Sequence, residues 1–212
     1  MTPARWVLAS PAMTAQRGSD TGDRVAEPVG PAGEAVEGAE TRVDAVLAHL
    51  VGLYQLIDCD PALADTDAFC VAYGYPPEDS ANTIIVAAKE DPPRYVACVV
   101  LATTRLDVNR AVRKKMGARK VSFASAQETQ ALTGMSIGGV TAVGLPETLE
   151  LWVDSAVMAR PLIVLGGGSR RRKIVAAPSL LLELAGAEVV ERLAVTAPQA
   201  PLAGADPVGG TS

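Results

Sequence analysis

Apolar positions recur along this chain at two periods. Val43, Val46, Leu47, Leu50, Tyr54 and Ile57 fall at helical spacing and predict an amphipathic helix over 42–57, ended by Asp58 and Pro61. Asp67 to Tyr73 reads as a short second helix, closed by Gly74 and Pro76-Pro77. The apolar runs Thr83–Ala88 and Arg94–Leu101 flank Glu90-Asp91-Pro92-Pro93 and predict two paired strands joined by a turn. Asp107, as an N-cap, opens a helix to Met116 that Gly117 stops. Val121–Ala124 is a short strand, and Ser125-Ala126-Gln127-Glu128 is a capping box whose helix runs into Thr133-Gly134. Leu149–Val153, Leu162–Leu165 and Lys173–Ala176 are further strands. Pro178–Leu184 is a helix with Gly186 past its end. The interleaving predicts one mixed α/β domain over 42–195. Residues 1–40 and 197–212 lack an apolar period and read as disordered tails.

Between the capped helix and the next strand lies Gly134-Met135-Ser136-Ile137-Gly138-Gly139-Val140-Thr141-Ala142-Val143-Gly144-Leu145-Pro146. Closely spaced glycines and a terminal proline exclude a long regular element here. Structured loops of this kind carry function. Backbone N–H groups at a tight glycine turn can receive a tetrahedral oxyanion or cradle a phosphate. The same residues would also serve as a plain helix-to-strand connection.

Composition narrows the chemistry. Hydrophobic residues make up 49% of the chain and aromatics only 4%, so the core is expected to be built from Val, Leu, Ile and Ala. The net charge of −5 argues against binding nucleic acid through the whole surface, while leaving room for a local basic patch. Two basic concentrations exist. One is Arg110, Arg113, Lys114, Lys115, Arg119 and Lys120; the other is Arg170, Arg171, Arg172 and Lys173, directly after Gly166-Gly167-Gly168-Ser169. They are suited either to nucleic-acid phosphates or to a solvated surface, and the glycine run either to an anion nest or to a hairpin turn. Cys59, Cys70 and Cys98 show no metal-type spacing, and an odd count fits a reducing compartment. Cys98 sits in an apolar run and is expected to be buried. His49, the single histidine, is read as a flank residue, and no metal site is expected. Trp152, Phe69 and Phe123 are read as core. No apolar run approaches a bilayer span, so a soluble cytoplasmic protein is expected.

Several segments together resemble the YbaK/prolyl-tRNA synthetase-associated editing-domain family. They are Asp65–Cys70 with Ser80–Val86, Leu106–Asn109, Gly117–Ser125, Leu132–Gly134, Gly138–Thr141, Leu151–Asp154, Gly166–Ser169 and Leu184–Ala187. The resemblance implies a single YbaK-like α/β domain, with a mixed, mostly antiparallel sheet surrounded by helices. It also implies hydrolysis of amino acids wrongly attached to tRNA, hence a role in translation fidelity. No cofactor is implied. The implied partners are the aminoacylated acceptor end of a tRNA and an aminoacyl-tRNA synthetase, with no membrane. Family members carry a lysine at the start of the first core strand; here Asn82 stands at that position. They also carry proline where this chain has Ala142.

On this resemblance the catalytic group is Asn82, Gly138, Gly139 and Val140. Asn82 would position water or substrate, and the loop N–H groups would bind the carbonyl oxygen. Thr141, Ala142 and Asp154 would line the substrate site, although Asp154 is equally suited to capping the turn at Ser155. Arg113, Lys114, Arg170, Arg171, Arg172 and Lys173 would hold the tRNA. The expected activity is trans-editing aminoacyl-tRNA deacylation. The alternative is a catalytically degenerate module that binds an aminoacyl-adenosine or tRNA end without hydrolysis. An interaction protein working through its tails is a third reading.

Overall fold

The computed structural model describes residues 31–196, with side chains from residue 37. The outer parts of both expected tails, 1–30 and 197–212, lie outside the described residues. Helix α1 spans Pro31–Leu47, strand β1 Tyr54–Asp58, α2 Thr66–Tyr73, β2 Ala81–Ala88, β3 Arg94–Leu101 and β4 Thr104–Leu106. A π-helical turn, Val108–Val112, continues into α3, Arg113–Met116. Then follow β5 Val121–Phe123, α4 Ala126–Thr133, β6 Glu150–Asp154, α5 Ser155–Met158, β7 Ile163–Gly166 and β8 Arg172–Ala176. A 3-10 helix, Pro178–Glu183, leads to β9 Ala187–Val190 and β10 Ala194–Thr196.

The mixed α/β architecture is as expected. The two apolar runs form β2 and β3, paired antiparallel with Ile84 opposite Cys98. They sit at the centre of a five-stranded sheet ordered β5-β2-β3-β6-β9. Its β5 and β3 neighbours run antiparallel to β2, whereas β6 and β9 continue parallel to β3. A three-stranded antiparallel sheet, β1-β8-β7, lies alongside, and β4 pairs with β10. The two larger sheets meet at a parallel bridge between Ser80 and Val164, just before β2 begins. That junction positions the site described below.

The packing follows from residue type. Leu151, Val153, Ile163, Leu165, Ile174 and α1's Val43 and Leu47 fill the main core, with Trp152 and Val86 in a second cluster. Phe69 anchors a third, stacked on Tyr73 at 4.6 Å between ring centroids. Cys98 is fully buried, and burial pushes its thiol up to about 12. The capping box forms as expected: Ser125 Oγ accepts from Glu128 N–H, and Glu128 accepts from Ser125 N–H.

The helix expected over 42–57 divides. It ends at Leu47, and Gly52, at φ +89, turns the chain into β1. Tyr54–Asp58 then gain a full ladder against β8, with Tyr54 opposite Ala176. At its other end α1 begins at Pro31, inside the stretch read as tail. Its Ala39 is fully buried.

Candidate functional site

A cleft of about 410 Å³ opens where the two larger sheets meet. Its walls come from five parts of the fold. β2 contributes Ala81 to Ile85. The start of α2 contributes Ala64, Asp65 and Thr66. The glycine loop contributes Ile137, Gly138 and Val140. The small sheet contributes Gly166 and Lys173, and Phe123, Ala124 and Thr129 complete one side. Asn82 and the glycine loop therefore line one cavity.

The loop's shape is dictated by what it touches. Gly138 has φ +87, a conformation that favours glycine. Gly139 lies so close to the neighbouring hairpin that a Cβ there would stand 2.2 Å from the backbone of Ser169. A Cβ on Gly166 would stand 2.3 Å from the carbonyl oxygen of Val140. Two backbones are thus pressed together, and Gly168 N–H donates to Gly139 C=O at 2.8 Å. Residues 167–171 form the β7–β8 hairpin turn. Gly139 N–H donates to Ser136 C=O at 2.9 Å and is unavailable to a ligand, which corrects its expected role as a donor. The N–H groups of Gly138 and Val140 have no partner among the described residues.

Asn82 is exposed at the mouth of the cleft, and its Oδ1 accepts from Thr66 Oγ1 at 3.3 Å. Its amide N–H groups remain free. The Thr83 hydroxyl beside it is buried without a hydrogen-bond partner. Phe123, expected in the core, is 54% exposed and lines the cleft, because β5 is the edge strand of its sheet. Ile137 is exposed on the cleft's other side.

Thr141, Ala142 and Asp154 are not on the cleft surface. Thr141 is fully buried, its hydroxyl accepting from Val143 N–H at 3.4 Å, and Ala142 is core. Asp154 caps α5 through Ala156 N–H and also accepts from Ala194 N–H, so both carboxylate oxygens are engaged within the fold.

The cations of 170–173 part company. Arg170 grips Asp65 through both carboxylate oxygens, at 3.0 and 3.3 Å, and also donates to Pro61 C=O. This bond holds the Asp65 carboxyl below the ordinary carboxylate range. Arg172 is fastened to Gly167 C=O, Asp44 and Glu40 C=O. Lys173 is buried at 7% exposure in the cleft, donating to Ala64 C=O at 2.6 Å and Gly138 C=O at 3.2 Å. Only Arg171 faces solvent with no side-chain partner among the described residues. Arg113 and Lys114 are also exposed, on the surface of α3. Sequence reasoning grouped Lys173 with the tRNA-holding arginines, whereas the fold turns it into the cleft. The signal available was alternation: Arg172 and Lys173 are neighbours on one strand and must face opposite ways.

Residues 60–184 match the pattern of the aminoacyl-tRNA editing domain, which is more than half of the chain. The chain belongs to the aminoacyl-tRNA editing domain family. Solved structures agree on this fold. A candidate trans-editing enzyme for prolyl tRNA synthetase superposes with a TM-score of 0.62 at 23% identity, covering 72% of this chain and 95% of that one. The hypothetical protein APE2540 gives 0.64 at 25% identity, with 71% and 97% covered. An epitope-presenting scaffold from computational design gives 0.59 at 24%, with 76% and 96% covered. The editing-domain match lies wholly inside the α/β unit and leaves α1 outside it. Among the described residues no helix is long and apolar enough to cross a membrane.

Proposed function

We propose that this editing domain is a trans-acting aminoacyl-tRNA deacylase that cuts the ester between a mischarged amino acid and the terminal ribose. The carrying observation is the cleft itself, lined by Asn82 and by Gly138 and Val140, whose N–H groups have no partner among the described residues. In the reaction a water oxygen bonds to the ester carbonyl carbon, and the carbonyl electron pair moves onto its oxygen. Collapse of this tetrahedral species expels the ribose oxygen, which takes up the proton the water gives up. Asn82, able to donate and accept, holds the water or the ribose hydroxyl. The N–H groups of Gly138 and Val140 receive the developing oxyanion, the role in which fixed backbone donors are most effective. Ile84, Ile137 and Phe123 offer the apolar contacts to the amino acid or base. Arg113, Lys114 and Arg171 supply exposed charge for the acceptor stem.

A second reading keeps the cleft but not the hydrolysis, and the neutral Asn82 at the lysine position favours it. Incubation with a panel of mischarged tRNAs, scored by release of free amino acid, tests the proposal. Enzyme-dependent release from at least one tRNA is the expected result. Binding without release across the whole panel would establish the non-hydrolytic reading.

A further inference from the structure

The roles given above use the walls of the cleft and leave its buried cation without a task. An ammonium removed from water is costly unless its charge and its donors find partners. Lys173 finds partners for two of its donors and no carboxylate of its own for its charge. Its two acceptors, Ala64 and Gly138, are neutral carbonyls. Phe69 adds only a ring face, 5.5 Å from the ammonium to the ring centroid. Asp65, the carboxylate nearby, is turned to Arg170. An ammonium has three donors, so one has no partner among the described residues. A strut between two carbonyls would be served by a neutral donor without this desolvation. Burial also lowers the Lys173 pKa from its ordinary value, the mark of a charge lacking compensation.

We infer that Lys173 is the anion-binding point of the cleft, its third N–H meeting an oxygen anion of the substrate. This rests on the deacylase reading. The ammonium is clamped where the start of α2 meets the glycine loop, so it is oriented before the ligand arrives, the arrangement that makes a fixed charge effective. The cation therefore reaches the cleft from β8, facing a first core strand that carries the neutral Asn82. Two oxygens fit: the carbonyl oxygen that becomes the oxyanion, and the phosphate on the 5′ side of the terminal adenosine.

The test compares wild type with Lys173→Gln, which keeps a donor for the carbonyls, and Lys173→Met, which keeps only the stem. Tm is measured first. Each folded variant is then assayed for deacylation of the mischarged-tRNA panel and for binding of 5′-AMP against adenosine. Should both variants fail to fold, the 13Cε signals of the wild-type lysines are followed during titration with AMP, adenosine, inorganic phosphate and a phosphonate analogue of the 3′ ester. A shift of the buried lysine's signal with AMP or phosphate, and not with adenosine, supports the phosphate as the anion, and a shift only with the phosphonate analogue supports the oxyanion; no shift with any of these overturns the inference. A preference for AMP over adenosine that falls about 10- to 100-fold in Lys173→Gln identifies the phosphate as the anion. A fall of that size in kcat, with AMP binding unchanged, identifies the oxyanion. Variants that fold, hydrolyse and bind like wild type overturn the inference and leave Lys173 a strut. A wild type that hydrolyses nothing yet shows a Lys173-dependent AMP preference defeats only the deacylase reading. Absence of both activities in the wild type defeats both.

Discussion

Asn82 and Gly139 show how single residues govern this cleft in different ways. Asn82 acts through its amide, which accepts from Thr66 and keeps N–H groups free for the cleft. Asn82→Ala should lower deacylation about 2- to 10-fold, the scale of one neutral hydrogen bond of roughly 0.5–1.5 kcal/mol. Asn82→Lys should also lower it, because an ammonium cannot accept a hydrogen bond and would enter the same cleft as Lys173. A gain in amino-acid release from Asn82→Lys would mark the natural site as degenerate. Gly139 acts by lacking a side chain. Gly139→Ala must push apart two backbones and should cost about 1–3 kcal/mol of stability, seen as a lower Tm, together with a loss of activity. Gly74→Ala is the control. It meets nothing within 4 Å and carries only the cost of φ +73, so it should leave activity unchanged.

Among the elements, α1 is the one whose attachment is least evident from its own sequence. It is held by Ala39, Val43 and Leu47 in the core and by Arg172, which is 14% exposed and bonds both Asp44 and the Glu40 carbonyl. A chain beginning at Thr41 should therefore melt lower than one beginning at Pro31. A loss of about 2 kcal/mol would lower Tm by about 4–8 °C for a domain of this size. Equal melting temperatures would show that the first turns of α1 add nothing. The β2–β3 pair, the capping box and the short helix before Gly74 were legible in the sequence because each is specified locally, by an apolar run, a cap or a breaker. β1 was not, because Tyr54 and Ile57 continue the helical spacing of Leu47 and Leu50, and what makes the segment a strand is β8, far along the chain. The same distance hid the site's floor. Asn82 and the glycine loop could be recognised as motifs, whereas the inward turn of Lys173 depends on the register of a hairpin that only the fold fixes.

At the scale of the whole molecule the question is how a chain of net charge −5 would approach a polyanion. Arg171 on the hairpin and Arg113 and Lys114 on α3 are among the exposed cations that can meet phosphates, with Arg110, Arg119 and Lys120 exposed beside α3. Replacing Arg171 with Ala should weaken tRNA binding and reduce the slope of log affinity against log salt by about 0.7–0.9. Arg172→Ala should instead lower Tm and leave that slope unchanged, because its charge is already engaged with α1. Equal slopes for wild type and Arg171→Ala would remove the hairpin from the interface. The glycine loop and the β7–β8 hairpin, locked backbone to backbone, have a wider consequence. Apart from Asn82, the groups proposed for the chemistry ride on main chain and on a clamped lysine, whereas the side chains of Ile84, Ile137 and Phe123 stand at the lip, partly in solvent, and take no part in the backbone contact. Amino-acid preference can then drift by exchanging lip residues while the hydrolytic apparatus stays in place, which makes this cleft a natural starting point for redirecting selectivity by directed evolution.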